Sequence, residues 1–250
     1  MFQVAKLVIA TSILSVVATS PSFANDDHSK GINSHGDTEV IPMFDIYHTK
    51  ITTEGSDAIF HMAVTGNAGM TVPEKLGKLA GSSVFSYVWP TSLDPSVVGF
   101  EAQSGILSFA VTAHPDFDDT PLFDENGDGD LTNDGNIWHS HWVVLQPAPD
   151  CGEDMLKVVD IPEGVQPKLP KTWPGLPILI DSPGWSPSIS NEVVEVRVPF
   201  DDVSLMEGIS FDGVTAGLRV NESTHSPLLC VVDVFKVASG DLTLSGKTNQ

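Results

Sequence analysis

Ile137-Trp138-His139-Ser140-His141-Trp142-Val143-Val144-Leu145 has the character of a β-strand, rich in β-branched and aromatic residues. Read as a strand, it sorts Ile137, His139, His141, Val143 and Leu145 onto one face and Trp138, Ser140, Trp142 and Val144 onto the other. Residues two apart on a strand point the same way about 7 Å apart, so the two imidazoles reach a common ion. Imidazoles set in an apolar row are either satisfied by hydrogen bonds in a core or gathered on a metal. Neutral imidazole suits Zn or Cu far better than Ca²⁺.

Similar short, β-branched segments recur on both sides: 44–52, 58–65, 83–89, 106–113, 156–161, 193–200, 214–220 and 228–237. Gly, Pro, Asp and Asn separate them, and only Val72 to Leu79 hints at a helical repeat. The expectation is an all-β chain, a β-sandwich of immunoglobulin-like or jelly-roll-like kind with about nine short strands and long loops. Six prolines with Trp173 and Trp185 fall between Pro167 and Pro187, which reads as a long ordered loop within a single domain spanning 40–250.

His114 ends the strand that precedes an acidic segment, and His225 lies in a loop before the last core strand, so His114, His139 and His141 are the expected transition-metal set. His48 and His61 read as structural. The acidic segment between His114 and His139, Asp124-Glu125-Asn126-Gly127-Asp128-Gly129-Asp130, alternates oxygen-bearing side chains around two glycines. It resembles an EF-hand-type or dockerin-type calcium loop over about twelve residues. Asp124, Asn126 and Asp128 fill the first, third and fifth positions, Gly129 the sixth and Asp130 the seventh. The twelfth is Gly135 where the template places a bidentate Glu, so Asp134 or an acid from Asp116 to Asp119 has to supply that carboxylate. Pro121 and the strand that follows leave no room for the two helices of a complete EF-hand.

At the other end of the chain, Lys6 precedes an apolar run from Leu7 to Val17 and a small-residue exit at Ser22-Phe23-Ala24, the pattern of a secretory signal peptide over 1–24. Residues 25–39 are polar and aperiodic and read as a flexible arm. Later stretches are too short to span a membrane as a helix, so the expected location is periplasmic or extracellular. There Cys151 and Cys230 are expected to form one disulfide. With 33 acids against 12 bases and a net charge of −21, nucleic acid and anionic membrane are poor partners. Metal ions and neutral ligands such as carbohydrate remain.

The chain lacks a nucleophile elbow, a phosphate loop and a His-Glu-x-x-His helix, which weighs against an enzyme. The leading expectation is therefore an exported, non-enzymatic metal-binding protein, with Ca²⁺ in the acidic loop and Cu or Zn at the histidines. One alternative is a carbohydrate-binding module with structural Ca²⁺ and Trp89, Trp173 or Trp185 stacked on sugar rings. Another is a hydrolase using the same His and Asp cluster around a metal with an open position.

Overall fold

The computed structural model describes residues 30–117, 122–223 and 227–250. The expected signal peptide, the start of the polar arm, Asp118, Asp119 and His225 lie outside the described residues.

Two sheets carry the fold, with strands numbered in chain order. The smaller sheet runs β1 (Ile32–Asn33), β2 (Ile46–Glu54), β3 (Asp57–Val64), β10 (Val193–Pro199) and β9 (Ser188–Ser190), all antiparallel. The larger runs β5 (Ile106–Ala113), β4 (Ser83–Pro90), β12 (Val214–Val220), β13 (Leu229–Val237), β7 (Leu156–Val158) and β6 (His139–Pro147). It then closes, because β6 pairs back onto β5 from Ile106↔Leu145 to Thr112↔His139. The short β8 (Ile180–Asp181) shares an edge of β6 with β7, and β11 (Ser210–Phe211) pairs with β14 (Gly246–Lys247).

The all-β expectation holds; among the described residues the helical elements are four 3-10 turns of three or four residues. The larger sheet, however, is a six-stranded barrel covered on one wall by the smaller sheet, where two open sheets were expected. Alternation specifies which face of a strand is buried, but not whether the last strand returns to the first. Val72 to Leu79 forms no helix, since Pro73 removes an amide and Gly77 sits at φ 74°. Ile32 and Asn33, inside the expected flexible arm, pair with Thr49 and His48 of β2.

Strand alternation divides the apolar residues into two cores. Phe60 and Met62 of β3 meet Trp89, Phe109 and Trp142 on the barrel's outer wall, with Phe60 and Phe109 ring centroids 4.5 Å apart. Burial of one such side chain contributes about 1.5–3 kcal/mol. The opposite faces of the same strands, including Val88, Ala110, Val143, Ala216 and Leu218, fill the barrel interior. Closure is thinnest at β7, which meets β13 through a single pair, Cys230↔Lys157. There the expected disulfide is present, joining Cys151 to Cys230 with Cα atoms 5.5 Å apart. No helix among the described residues is long and apolar enough to cross a membrane.

Candidate metal centre

β5 and β6 form one antiparallel pair, and their register explains how residues 114, 139 and 141 meet. Thr112 lies opposite His139 and Ala110 opposite His141, so the chain leaving β5 delivers His114 to the end of the pair where β6 begins. All three histidines are buried, with 1% of each exposed. One ring nitrogen from each lies within 4.8 Å of the other two. His114 Nε2 and His139 Nε2 are 3.1 Å apart, and the His139 and His141 rings stand edge to face at 4.7 Å. The sequence thus named the group that the fold gathers.

The Nδ1 atoms are anchored on the other side. His114 Nδ1 donates to the Phe117 carbonyl at 2.7 Å and His139 Nδ1 to the Ile137 carbonyl at 2.6 Å. His141 Nδ1 lies 3.1 Å from the Ser182 hydroxyl. A carbonyl only accepts, so His114 and His139 must both carry their hydrogen on Nδ1. Their Nε2 lone pairs then face each other across 3.1 Å, an arrangement that is stable only with a cation between them, either a proton or a metal. Zn–N bonds of about 2.0–2.1 Å at tetrahedral angles place ligand nitrogens roughly 3.3 Å apart. The His114 and His139 nitrogens already stand near that spacing.

Two residues that sequence reasoning missed hold His114 in place. Phe117 stacks on its ring at 4.2 Å with 4° between planes, besides supplying the carbonyl. Gly135 accepts the His114 backbone N–H at 2.7 Å. A Cβ at Gly135 would stand 2.1 Å from the Phe117 oxygen and 2.9 Å from His114 Nδ1. The position where a calcium loop wants Glu is therefore kept bare by the histidine site, and its mismatch with the EF-hand template was the signal that could have revealed this.

Asp134, expected among the calcium ligands, is fully buried and accepts the Glu125 backbone N–H at 2.6 Å. Burial pushes the Glu125 carboxyl up to about 7, and a hydrogen bond with Asp134 and the charge of Asp134 add to the rise, while His139 pulls the other way. This carboxyl pair beside His139 provides negative charge next to the imidazoles. Asp116 accepts from the Leu76 and Gly77 amides and the Ser82 hydroxyl, hydrogen bonds that hold it below the usual carboxylate range; it anchors a neighbouring loop.

In the acidic loop, Asp124 accepts from the amides of Gly127, Asp128 and Gly129, and Asn126 Oδ1 also accepts from Asp128 N–H. Asp128 and Asp130 each accept an amide two residues on, from Asp130 and Thr132. Among the described residues, the histidine trio is the group of three or more His, Cys, Asp or Glu whose ligand atoms converge, and the loop carboxylates form no such group.

His48 and His61 are buried in the smaller sheet, with His48 Nε2 2.7 Å from the Lys30 carbonyl and His61 3.4 Å from Glu195, apart from the trio. Trp89 is fully buried and donates to Thr49 Oγ1, so it offers no stacking surface to a sugar; Trp173 and Trp185 are half-buried against the core. Comparison of the chain with known protein families, with characterised proteins and with solved structures finds no match.

Proposed function

We propose that this is a metal-binding protein in which Nε2 of His114, His139 and His141 holds Zn or Cu. The observation that carries the reading is the pair of carbonyl-anchored imidazoles whose Nε2 atoms meet at 3.1 Å. Three protein nitrogens leave a fourth position of a tetrahedral ion open. His114 and His141 also border the barrel interior, so an ion held there would have its open position within reach of the lumen. An exported location agrees with the Cys151–Cys230 disulfide. Metal analysis of protein purified without chelator, followed by titration calorimetry with Zn²⁺ and Cu²⁺, tests the site. One equivalent bound by the wild type and none by the His139→Ala, His141→Ala double variant is expected. No uptake by a folded wild type would sink the reading.

A separate Ca²⁺ site in the loop from Asp124 to Asp130 is proposed on one observation: oxygens of Asp124 and Asn126, the first and third ligand positions, meet at the Asp128 amide. Millimolar Ca²⁺ should raise the melting temperature of the wild type and not that of Asp128→Ala, since an ion that binds only the folded state stabilises it. Equal melting with Ca²⁺ and with chelator refutes it. A hydrolytic role would use the same open position on the metal, and the carbohydrate alternative retains only Trp173 and Trp185 as platforms.

A further inference from the structure

The barrel interior is not completely filled. A cavity of about 180 Å³ runs along it, walled by methyl groups of residues such as Val88, Ala110, Val143 and Leu218. Thr112, His114 and His141 border it where β6 begins, and the exposed Asp154 borders it beyond the Leu156↔Pro147 pair, where β6 ends. Ser86 also borders it, but donates its hydroxyl to the Ala216 carbonyl at 2.8 Å. Thr112 differs: the residue is 8% exposed, and its Oγ1 is buried without a hydrogen-bond partner. A buried hydroxyl left unbonded costs about 1–3 kcal/mol, which a ligand oxygen would relieve. The opposite end lies by Pro90 and Leu242, where Leu242 holds φ 56° and is 37% exposed.

We propose that this lumen binds a small uncharged phenol, a single ring bearing one oxygen, with the ring among the methyl groups and the oxygen at Thr112. A dry apolar cavity of about 150 Å³ takes up benzene, so 180 Å³ accommodates one ring with one or two further atoms. A carboxylated ring is excluded by size, since its carboxylate adds three atoms, and among the methyl groups its charge finds no partner. The oxygen's other neighbour is the open position of the histidine-bound metal, and to that extent the inference rests on the function proposed above.

The experiment titrates phenol, toluene and benzoate into metal-free and zinc-loaded full-length protein, following the methyl resonances of Val88, Ala110, Val143 and Leu218. Phenol should shift them in both forms and bind more tightly with zinc. Toluene should bind more weakly, and benzoate should leave the metal-free lumen untouched. Thr112→Val keeps the shape and removes the hydroxyl, so it should lower phenol affinity about fivefold while leaving toluene unchanged. Ala110→Leu adds three carbons to the wall and should abolish both. Phenol binding without zinc uptake would overturn the metal reading and leave the lumen standing. Zinc uptake with no methyl shift from either ring compound would overturn the lumen proposal, as would equal phenol affinity in the wild type and Thr112→Val.

Discussion

Zinc binding should displace one proton from the His114–His139 pair. Both rings are fixed as Nδ1–H tautomers by carbonyls at 2.7 and 2.6 Å, so without metal the 3.1 Å contact between their Nε2 atoms needs one proton of its own. Zinc requires both lone pairs and must expel that proton. The metal-free site then holds more protons than the loaded one, so affinity rises with pH. One proton per ion corresponds to about tenfold in affinity, or 1.4 kcal/mol, for each pH unit over which the pair keeps its proton. Calorimetric titration in buffers of different ionisation enthalpy counts the proton directly. The pH series should give a slope of about one. At a free zinc concentration a hundred times the dissociation constant, stabilisation should be about 2.7 kcal/mol, visible as roughly 5–10 °C in melting temperature. Tight zinc binding with no proton release and a flat pH series would refute the reasoning, because it would mean that the two imidazoles share no cation beforehand.

Gly135→Ala should tilt His114 out of line and weaken zinc binding at least tenfold, since the new Cβ meets both the Phe117 oxygen and His114 Nδ1; unchanged affinity would show that the contact relaxes freely. Asp181, 4% exposed, has its carboxyl pushed up to about 6 by burial, against hydrogen bonds from Thr172 and Ser182. Its folded-state value lies above the unfolded one, so ionisation destabilises the fold as pH rises from about 4 to 6. Asp181→Asn should therefore add on the order of 2 kcal/mol at pH 7 and little at pH 4, measured by denaturant unfolding at both values. Replacing Cys151 and Cys230 by serine should lower stability by about 4 kcal/mol in the chain-entropy description, read from the same unfolding curves.

Much of this was legible in local pattern. Period two placed His139 and His141 on the face that borders the barrel interior, and the bounds of β5 and β12 match the segments read from sequence. Burial of His61 was not legible, because the alternation of β3 puts it opposite Phe60 and Met62, yet that face is covered as well. β8 escaped notice because two residues, Ile180 and Asp181, pair within a proline-rich loop, and no periodicity exists over two residues. Barrel closure depends on β12 lying beside β4, a contact between distant parts of the chain that leaves no trace in either strand. Gly135 made sense only once Phe117 and His114 were seen against it, as its meaning lies in what surrounds it.

The three histidines come from one antiparallel pair, His139 and His141 within β6 and His114 directly after β5, whereas the barrel cannot close without β12 and β13. Should β5 and β6 pair before β12 and β13 arrive, the chain would present its full set of imidazoles before it has a lumen or a seam. Bare imidazoles on an open pair follow the general order in which Cu²⁺ outcompetes Zn²⁺. The resident metal would then be chosen by what the surroundings supply during folding, and the finished barrel would keep the ion it closed upon.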